Sequence, residues 1–483
     1  MKTRINNLLR PPALIAGLVL MVAGSVTAQT FTTLYSFTGG SDGVRPYAGL
    51  ILSSNILYGT TTGGGSSFRG TVFAVTTDGS GFANLYNFTG GSDGAYPYCP
   101  LILSGNTLYG TAFGGGSGAG TSGSGTVFAV NTDGTGFTTL YSFTAASGTY
   151  PSLTNSDGVG PDNGLILSGN TLYGTAALGG ISGEGTVFAV NTDGTGFTNL
   201  HNFTPLSVPY TGINSDGANP HASLILSGNT LYGAAGGGGS SGHGTVFKVN
   251  TDGTGFATLY SFTGGSDGAG PWSGLILSGN TLYGTAELGG ISGNGTVFAV
   301  NTDGTGFTTL HRFTAVNNGK NIDGYDPQAG LILSDNTLYG AAGGGGSSNH
   351  GTVFKVNTDG TGFATLYSFT ALVSDTNNDG ARPVGGLILS GNTLYGTAWE
   401  GGSSGLGTVF SITLPPQLTI IPSGANVVLA WPTNAAGFTL QSTTNLGSLA
   451  FWTTNSPVPV VVNGQNTVTN PISGAQQFYR LSQ

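Results

Sequence analysis

Short apolar runs alternate with glycine-rich polar segments along most of this chain, and the alternation has a long period. One unit of roughly 55 residues recurs seven times, a period that is typical of propellers, solenoids and repeat arrays. The copies open at Phe31, Phe82, Phe137, Phe197, Phe256, Phe307 and Phe363. The strands within one unit decide between these architectures.

Each unit predicts four β-strands. In the fifth copy, strand a is Leu275–Ser278 and strand b is Thr281–Thr285, joined by a two-residue Gly-Asn turn that favours a tight hairpin. Strand c, Thr296–Asn301, follows a glycine-rich loop, and an Asp-Gly turn leads to strand d of the next copy at Phe307. Short hairpin links between a, b, c and d predict a four-stranded antiparallel meander, which is the blade of a β-propeller.

The two ends of the repeat region are complementary. The chain supplies an isolated d strand at Phe31–Thr38, whereas the seventh copy ends at strand c, Thr408–Thr413, with no d strand after it. An open strand edge invites aggregation, so the first strand is expected to pair with the last one. We therefore predict an all-β protein whose seven-bladed β-propeller is closed by an N-terminal outer strand. A solenoid is the alternative, since its coils do not need to return to their start.

The two sets of loops differ in variability. The d–a and b–c loops leave one face of such a blade and carry the length variation, while the a–b and c–d turns on the other face are nearly identical in all copies. Binding residues tend to lie on variable loops above a rigid scaffold. We expect any ligand site on the face that bears the d–a and b–c loops.

The pattern changes after Pro415-Pro416. Residues 416–483 contain short strands without the glycine hairpins and predict a small β-sandwich of fibronectin-like type. The expected domains are therefore a signal peptide at 1–28, the propeller at 29–415 and this module at 416–483.

Composition and charge point to an exported protein. Residues 1–28 combine a basic start, an apolar run from Ala13 to Ala23 and small residues at Val26-Thr27-Ala28, which predicts a secretory signal. The net charge is −9 and the basic residues are scattered, so no stripe for nucleic acid is present. The single cysteine, Cys99, excludes an intramolecular disulfide. We expect a monomer, secreted or on the cell surface, with no transmembrane segment in the mature chain.

Aspartates recur at fixed positions of the unit. Every d–a loop contains Asp-Gly-x-x-Pro, and a ring of such carboxylates could bind calcium, which prefers oxygen ligands. The favoured interpretation is that each aspartate accepts hydrogen bonds from its own turn, because each copy offers only one. Asp375 and Asp379 belong to the one denser cluster and are the weak metal candidates.

No catalytic constellation is evident. A glycosidase needs two carboxylates at one site, one of them with a raised pKa. Glu184, Glu287 and Glu400 lie in b–c loops and could face one another across the channel mouth, but solvated loop charge is the favoured interpretation. The five histidines have no metal-site spacing and are interpreted as repeat variants. We therefore expect a protein that is not an enzyme; a carbohydrate-active enzyme using loop carboxylates is the alternative.

Aromatic residues in the variable loops are the best ligand candidates. Their rings could stack on sugars or make apolar contacts, although core packing is an equal alternative for each. The candidates are Tyr47, Tyr96, Tyr98, Phe113, Trp272 and Trp399. They point to carbohydrate or another cell-envelope component as the partner.

The repeated unit resembles the Gloeo/Verruco (GloVer) tandem-repeat family. The resemblance rests on Leu-Tyr-Ser-Phe, Gly-Leu-Ile-Leu-Ser-Gly-Asn-Thr-Leu-Tyr-Gly-Thr and Gly-Thr-Val-Phe-Ala-Val-Asn-Thr-Asp-Gly, and covers about residues 31–414. It implies an exported bacterial protein with a choice of C-terminal anchor modules. It implies no established activity, so it identifies no catalytic residue. We expect no cofactor.

Overall fold

The computed structural model describes residues 29–116, 123–149, 152–209, 211–317, 320–416, 418–433, 438–445, 451–454, 457–471 and 477–482. The predicted signal peptide lies outside these residues. Over the described residues the chain is all β and contains no helix. Nothing in this described part is a helix long and apolar enough to cross a membrane. The chain divides into two compact units, Thr30–Ile412 and one that contains Thr413–Gln483.

The strands of the first unit follow the repeat. After β1 (Thr30–Ser36), the first three copies contain β2 (Ile51–Ser53), β3 (Ile56–Thr61), β4 (Thr71–Thr76), β5 (Phe82–Asn87), β6 (Ile102–Ser104), β7 (Thr107–Ala112), β8 (Thr126–Asn131), β9 (Thr138–Ser142), β10 (Ile166–Ser168), β11 (Thr171–Ala176), β12 (Thr186–Asn191) and β13 (Thr198–Asn202). The fourth and fifth copies contain β14 (Ile225–Ser227), β15 (Thr230–Ala235), β16 (Thr245–Asn250), β17 (Ala257–Ser261), β18 (Ile276–Ser278), β19 (Thr281–Ala286), β20 (Thr296–Asn301) and β21 (Thr308–Arg312). The last two contain β22 (Asn321–Tyr325), β23 (Ile332–Ser334), β24 (Thr337–Ala342), β25 (Gly344–Gly346), β26 (Thr352–Asn357), β27 (Ala364–Ser368), β28 (Ile388–Ser390), β29 (Thr393–Ala398) and β30 (Thr408–Thr413).

These strands form seven four-stranded antiparallel sheets within the described residues, which we number 1 to 7 along the chain. Sheets 1 to 6 each take strands a, b, c and d from consecutive segments, as the hairpin signals predict. Sheet 7 has the order β1-β30-β29-β28, so the first strand of the unit pairs with its last. The predicted pairing of the chain's two distant segments is thereby confirmed. One feature is not in the predicted pattern: β22 and β25 form an additional two-stranded sheet in the sixth copy.

Apolar residues of strands b and c hold neighbouring sheets together. In strand c, the Thr-Val-Phe-Ala-Val segment is buried on both faces, for example in β4 and β8. One cluster joins sheets 1 and 2, and the equivalent cluster around Leu34, Phe37 and Val409 joins sheet 7 to sheet 1. Each such fully buried side chain contributes roughly 1.5–3 kcal/mol. The strands therefore form because each sheet covers the next.

A ring stack repeats at the outer edge of every sheet junction. The strand-d residue of one sheet lies flat on the phenylalanine that opens strand d of the next, as Tyr86 does on Phe137 at 3.7 Å between centroids. In sheets 3 and 5, His201 and His311 make the same stack. The seventh stack joins Tyr367 of sheet 6 to Phe31 in β1 at 4.2 Å. The contact pattern therefore closes on itself through the N-terminal strand.

The repeat aspartate fixes the start of each d–a loop. Asp42 is buried, and its carboxylate accepts hydrogen bonds from the Thr38 amide (2.7 Å), the Thr38 hydroxyl (3.0 Å) and the Tyr35 hydroxyl (3.0 Å). In sheet 3, His201 Nε2 replaces the tyrosine hydroxyl at 2.9 Å from Asp216. The aspartates thus have the turn role that the sequence predicts, and the histidine variants preserve it.

The second unit consists of two separate antiparallel sheets. One contains β31 (Thr419–Ser423), β32 (Asn426–Pro432), β35 (Val460–Val462) and β36 (Gln465–Pro471); the other contains β33 (Thr439–Thr443), β34 (Thr453–Thr454) and β37 (Phe478–Ser482). Leu429, Trp431 and Val468 from the first sheet and Leu440 from the second share one buried apolar cluster. Side chains of the two sheets are therefore in contact within one apolar cluster.

Candidate functional site

The backbone around the repeat proline has the same conformation in every copy of the first unit. The residue before the proline has a positive φ at all seven positions, including non-glycine residues such as Arg45 (58°), Tyr96 (57°) and Asp326 (54°). Positive φ is uncommon for residues other than glycine and is often found where surrounding structure enforces it for function.

Recurring hydrogen bonds hold this conformation. The carbonyl of the pre-proline residue accepts a bond from the first residue of the b–c loop, as in Phe113 N to Tyr96 O (3.1 Å) and Glu287 N to Gly270 O (3.0 Å). In six of the seven copies the pre-proline amide also donates to the preceding sheet, as Tyr96 N does to Arg69 O (2.9 Å). A rigid, repeated frame therefore presents the residue that follows each proline.

The residues that follow the seven prolines meet at one cavity of about 670 Å³. Three are aromatic, namely Tyr47, Tyr98 and Trp272. Three are polar, namely Asp162, His221 and Gln328; the seventh is Val384. A nearly invariant backbone thus presents side chains that differ from copy to copy, which makes the cavity asymmetric.

The deeper wall of the cavity is backbone and leucine. Leu50, Leu275 and Leu387 line it together with glycines that precede strand a. A Cβ at Gly49 would lie 2.9 Å from the carbonyl oxygen of Gly386, so the innermost segments of sheets 1 and 7 approach closely. Only glycine permits such an approach of two backbones.

Two hydrogen-bonded groups form the polar side of the cavity. His221 Nδ1 lies 2.7 Å from Asp162 Oδ2, and Asn163 Nδ2 donates to the other oxygen of Asp162 at 3.0 Å. In the second group, Gln328 Nε2 donates to Glu287 Oε1 at 2.7 Å, and Gln328 Oε1 accepts from the Tyr47 hydroxyl at 3.1 Å.

Burial and nearby negative charge shift the pKa values of Glu287 and Tyr47. Burial is the main reason that the pKa of Glu287 is raised; the Gln328 hydrogen bond opposes the rise, and the charge of Asp326 adds to it. Burial, followed by the charges of Glu287 and Asp162, raises the pKa of Tyr47 to about 12. Both carboxylates therefore act on the same part of the cavity, where the Tyr47 hydroxyl lies.

Aromatic rings form another part of the lining. Tyr98 contacts Tyr47 edge-on at 5.6 Å and Phe113 edge-on at 5.8 Å. Trp272 lies 4.5 Å from the His221 ring, at the border between the aromatic and the polar side. Four of the six predicted aromatic candidates, Tyr47, Tyr98, Phe113 and Trp272, therefore line one cavity.

The other two aromatic candidates lie against arginines. The guanidinium groups of Arg45 and Arg382 lie 5.4 and 5.2 Å from the Trp399 ring centroid, and Trp399 contacts Tyr47 edge-on at 6.3 Å from behind the lining. Tyr96 is covered by Arg69, which also donates a hydrogen bond to its hydroxyl. These two rings support the site residues rather than line the cavity.

The three b–c loop glutamates do not meet. Only Glu287 lines the cavity, so its interpretation as a solvated loop charge is wrong. Glu400 is 3.8 Å from Arg382, while Glu184 is half-buried on another junction and has a pKa raised mainly by that burial. Glu287 shares its position in the repeat with Phe113 and Trp399, not with Glu184, because it is the first residue after strand b.

Sequence reasoning missed Asp162, His221 and Gln328 as site residues. The signal was present, since each follows a repeat proline at the offset of Tyr47, Tyr98 and Trp272. The repeat fixes the backbone conformation at this position but not the type of side chain. The three polar residues therefore do not resemble the three aromatic ones in the sequence.

The predicted metal candidates do not share a ligand set. Asp379 is buried and accepts bonds from Tyr367 and Thr370, as the other repeat aspartates do, whereas Asp375 lies in a turn with φ 65°. In the described part of the chain, no group of three or more His, Cys, Asp or Glu side chains is placed to hold a metal ion. Cys99 is fully buried against Thr111, and burial raises the pKa of its thiol to about 11.

The chain is similar in structure to several solved proteins. The oligogalacturonate lyase of Vibrio parahaemolyticus is 10% identical, with 81% of this chain and 95% of that chain covered and a TM-score of 0.48. A puromycin-hydrolyzing peptidase of Mycobacterium tuberculosis is 11% identical, with 81% and 58% covered and a TM-score of 0.47. A chain of a nidogen/laminin complex is 13% identical, with 62% and 91% covered and a TM-score of 0.37. At these identities and scores, none of the three indicates an activity for this chain.

Comparison of the sequence with known families and proteins gives one assignment. No curated protein matches the chain. The profile of the Gloeobacter/Verrucomicrobia repeat matches residues 22–154 and 205–410, which is most of the chain and most of the unit that carries the cavity. The chain therefore belongs to the Gloeobacter/Verrucomicrobia repeat family.

Proposed function

We propose that the protein is a secreted or cell-surface binding module, and that its repeat region, residues 29–415, is a seven-bladed β-propeller closed by β1. Seven sheets of one design and a ring stack that ends on Phe31 support this architecture. Residues 416–483 form its fibronectin-like β-sandwich, which the two sheets sharing the Trp431 cluster support.

The ligand site is the cavity at the variable face. The single observation that carries this proposal is the convergence of the seven post-proline residues on one cavity while their side chains differ. Its volume of about 670 Å³ falls within the roughly 300–1,000 Å³ of small-molecule sites. A structural role alone would not require Tyr47, Asp162 and Trp272 at equivalent positions.

A saccharide unit suits the chemistry of the lining. Flat aromatic rings such as Tyr98 and Trp272 can stack on the apolar face of a pyranose. Carboxylate and amide oxygens of Asp162, Glu287 and Gln328 can accept bonds from its hydroxyl groups. The partner is thus carbohydrate or a carbohydrate-bearing component of a cell envelope.

A carbohydrate-active enzyme is the alternative, and one observation favours it. Glu287 has the raised pKa of a catalytic acid, and Asp162 lines the same cavity. Against it, Asp162 is already engaged by His221 and Asn163, and Glu287 by Gln328. We therefore place binding first and hydrolysis second.

The test is a glycan and cell-wall binding screen on the purified protein, with and without calcium, followed by calorimetry with the best saccharide. Trp272→Ala should weaken binding by at least about fivefold, since stacking of a ring such as a nucleobase on one aromatic side chain contributes on the order of 1–3 kcal/mol. Phe68→Ala is the matched control, because Phe68 is an aromatic residue of the same face that is 71% exposed and not part of the lining.

Three outcomes distinguish the proposals. Loss of binding in Trp272→Ala but not in Phe68→Ala supports the site. Equal binding by both variants contradicts it. Saccharide turnover that Glu287→Gln abolishes would replace the binding proposal by the enzymatic one. Cell fractionation with N-terminal sequencing of the exported protein tests its location.

A further inference from the structure

We propose that the ligand of this cavity carries a protonated amine, and that Glu287 and the aromatic rings of the lining bind this amine. The inference rests on the proposed binding function and specifies its substrate class as an amino-bearing saccharide. It follows from the charges that line and surround the cavity.

The cavity has more negative than positive charge. Asp162 and Glu287 both line it, whereas the described residues of the lining include no lysine or arginine. His221 is the only lining group that can become cationic, and its Nδ1 is already 2.7 Å from Asp162. One histidine cannot neutralise two carboxylates, so acidic side chains outnumber basic ones in the described lining.

The surrounding charges do not cancel this excess. Asp326 is close enough to raise the pKa of Glu287. The two nearby arginines, Arg45 and Arg382, both lie against the Trp399 ring, and Arg382 is also 3.8 Å from Glu400. Arg382 nevertheless opposes the rise in the pKa of Tyr47 and of Asp326, so the arginines offset part of the negative charge. The carboxylates Asp162, Glu287, Asp326 and Glu400 still outnumber the two arginines.

Among the described residues Glu287 has no oppositely charged group within ion-pair distance. The charge of His221, which is paired with Asp162, lowers the pKa of Glu287 from farther away. Its recorded hydrogen bond comes from the neutral amide of Gln328. A half-buried carboxylate is costly unless a charge or several hydrogen bonds compensate it, and an ammonium group supplies both.

The aromatic side of the cavity suits the same group. Tyr47, Tyr98 and Trp272 present ring faces and edges around a space that Glu287 also reaches. Aromatic rings beside a carboxylate are a recurring way to bind amines, because the ring quadrupole attracts the cation. A saccharide with a free amine can use the stacking surface and the carboxylate together.

Three trisaccharides with the same β-1,4-linked backbone isolate the amine. Glucosamine trimer carries an ammonium group at C2, N-acetylglucosamine trimer a neutral amide and cellotriose a hydroxyl. Titration calorimetry at pH 6.0 in low salt should show glucosamine trimer binding at least about tenfold more tightly than the other two, because charge-assisted hydrogen bonds are roughly twice as strong as neutral ones.

Glu287→Gln provides the matched variant. It retains the shape of the side chain and its acceptor for Gln328, so its fold can be verified by an unchanged or raised melting temperature. It should weaken binding of glucosamine trimer by about tenfold more than it weakens binding of cellotriose, so that the preference for the amine is lost. Phe68→Ala should leave both affinities unchanged.

The contradicting results are distinct from those for the binding function. If cellotriose or the N-acetylated trimer binds as tightly as glucosamine trimer, or if Glu287→Gln leaves the preference unchanged, the amine inference is wrong and the binding site stands. If other saccharides bind but none of these three does, the inference is also wrong. If no saccharide in the wider screen binds, both proposals fail.

Discussion

The closure of the first unit can be tested by removing one aromatic ring where the two ends of that unit meet. Phe37 directly follows β1, is completely buried, and lies 5.3 Å edge-on from Phe73 and 6.0 Å from Phe82. Its amide donates to Gly407 O at 3.0 Å. Phe203 has the same environment within a continuous stretch of chain, with Phe247 at 5.3 Å and Phe256 at 6.0 Å.

The equivalent surroundings of Phe37 and Phe203 predict an equal loss of stability when either ring is removed. Truncation of a buried phenylalanine to alanine costs about 3–5 kcal/mol. With an unfolding entropy of about 2.1 cal/mol/K per residue and roughly 380 residues in the unit, the expected drop in melting temperature is about 4–6 °C. Phe37→Ala should therefore lower the melting temperature as much as Phe203→Ala, although residues near a chain end usually tolerate substitution.

Differential scanning calorimetry of the two variants and the parent protein measures this directly. Similar drops for Phe37→Ala and Phe203→Ala would support closure through the N-terminal strand. If Phe203→Ala shifts the transition by several degrees and Phe37→Ala by less than about 1 °C, the segment before Thr38 is not an integral part of the unit, and the reasoning is refuted.

Two further predictions concern charge. Glu287→Gln should raise the melting temperature at pH 7, because burial raises the pKa of Glu287 in the folded protein and its ionised form opposes folding there. This gain should vanish below pH 4.5, where the carboxyl is protonated in both states, and an equal gain at pH 4 and pH 7 would contradict it. Asp216→Asn should cost roughly 1–3 kcal/mol in urea unfolding at pH 7. Burial by itself raises the pKa of Asp216, but the bonds from His201 and Thr204 outweigh burial and hold the pKa below 3.8. The Asp216 contribution is therefore present above pH 3.8 and lost as pH falls through the lower folded pKa. A cost that does not shrink at all as pH is lowered below 3.8 would refute it.

The strand order could be predicted from the sequence because each strand, or the turn beside it, has a characteristic sequence. Turn residues mark every hairpin, and the apolar Thr-Val-Phe-Ala-Val segment marks the buried third strand. The pairing of β1 with β30 was predictable because only those two segments lacked a partner. The β22–β25 pair was not, although the other six copies have an equivalent single bridge between the same repeat positions, such as Val44 with Gly63 and Ala95 with Gly114.

The sequence predicts which face carries the site and some of the residues that line it. Tyr47, Tyr98, Phe113 and Trp272 stood out as aromatic residues in variable loops. Whether a loop residue turns inward depends on the positive φ of its neighbour before the proline, which composition does not reveal. Trp399 and Glu287 share one repeat position but have different surroundings, because Trp399 lies against Arg45 and Arg382 whereas Glu287 accepts a bond from Gln328.

The most direct test of the central claim is hydrogen exchange of the protein with and without the saccharide that binds most tightly in the screen. If the ligand lies in the cavity shared by all copies, protection should appear together in the separate segments that follow the prolines, 47–50, 162–165, 221–224, 272–275 and 328–331, in most of the copies. Protection confined to the loops of one or two neighbouring copies, or to residues 418–482, would contradict the account.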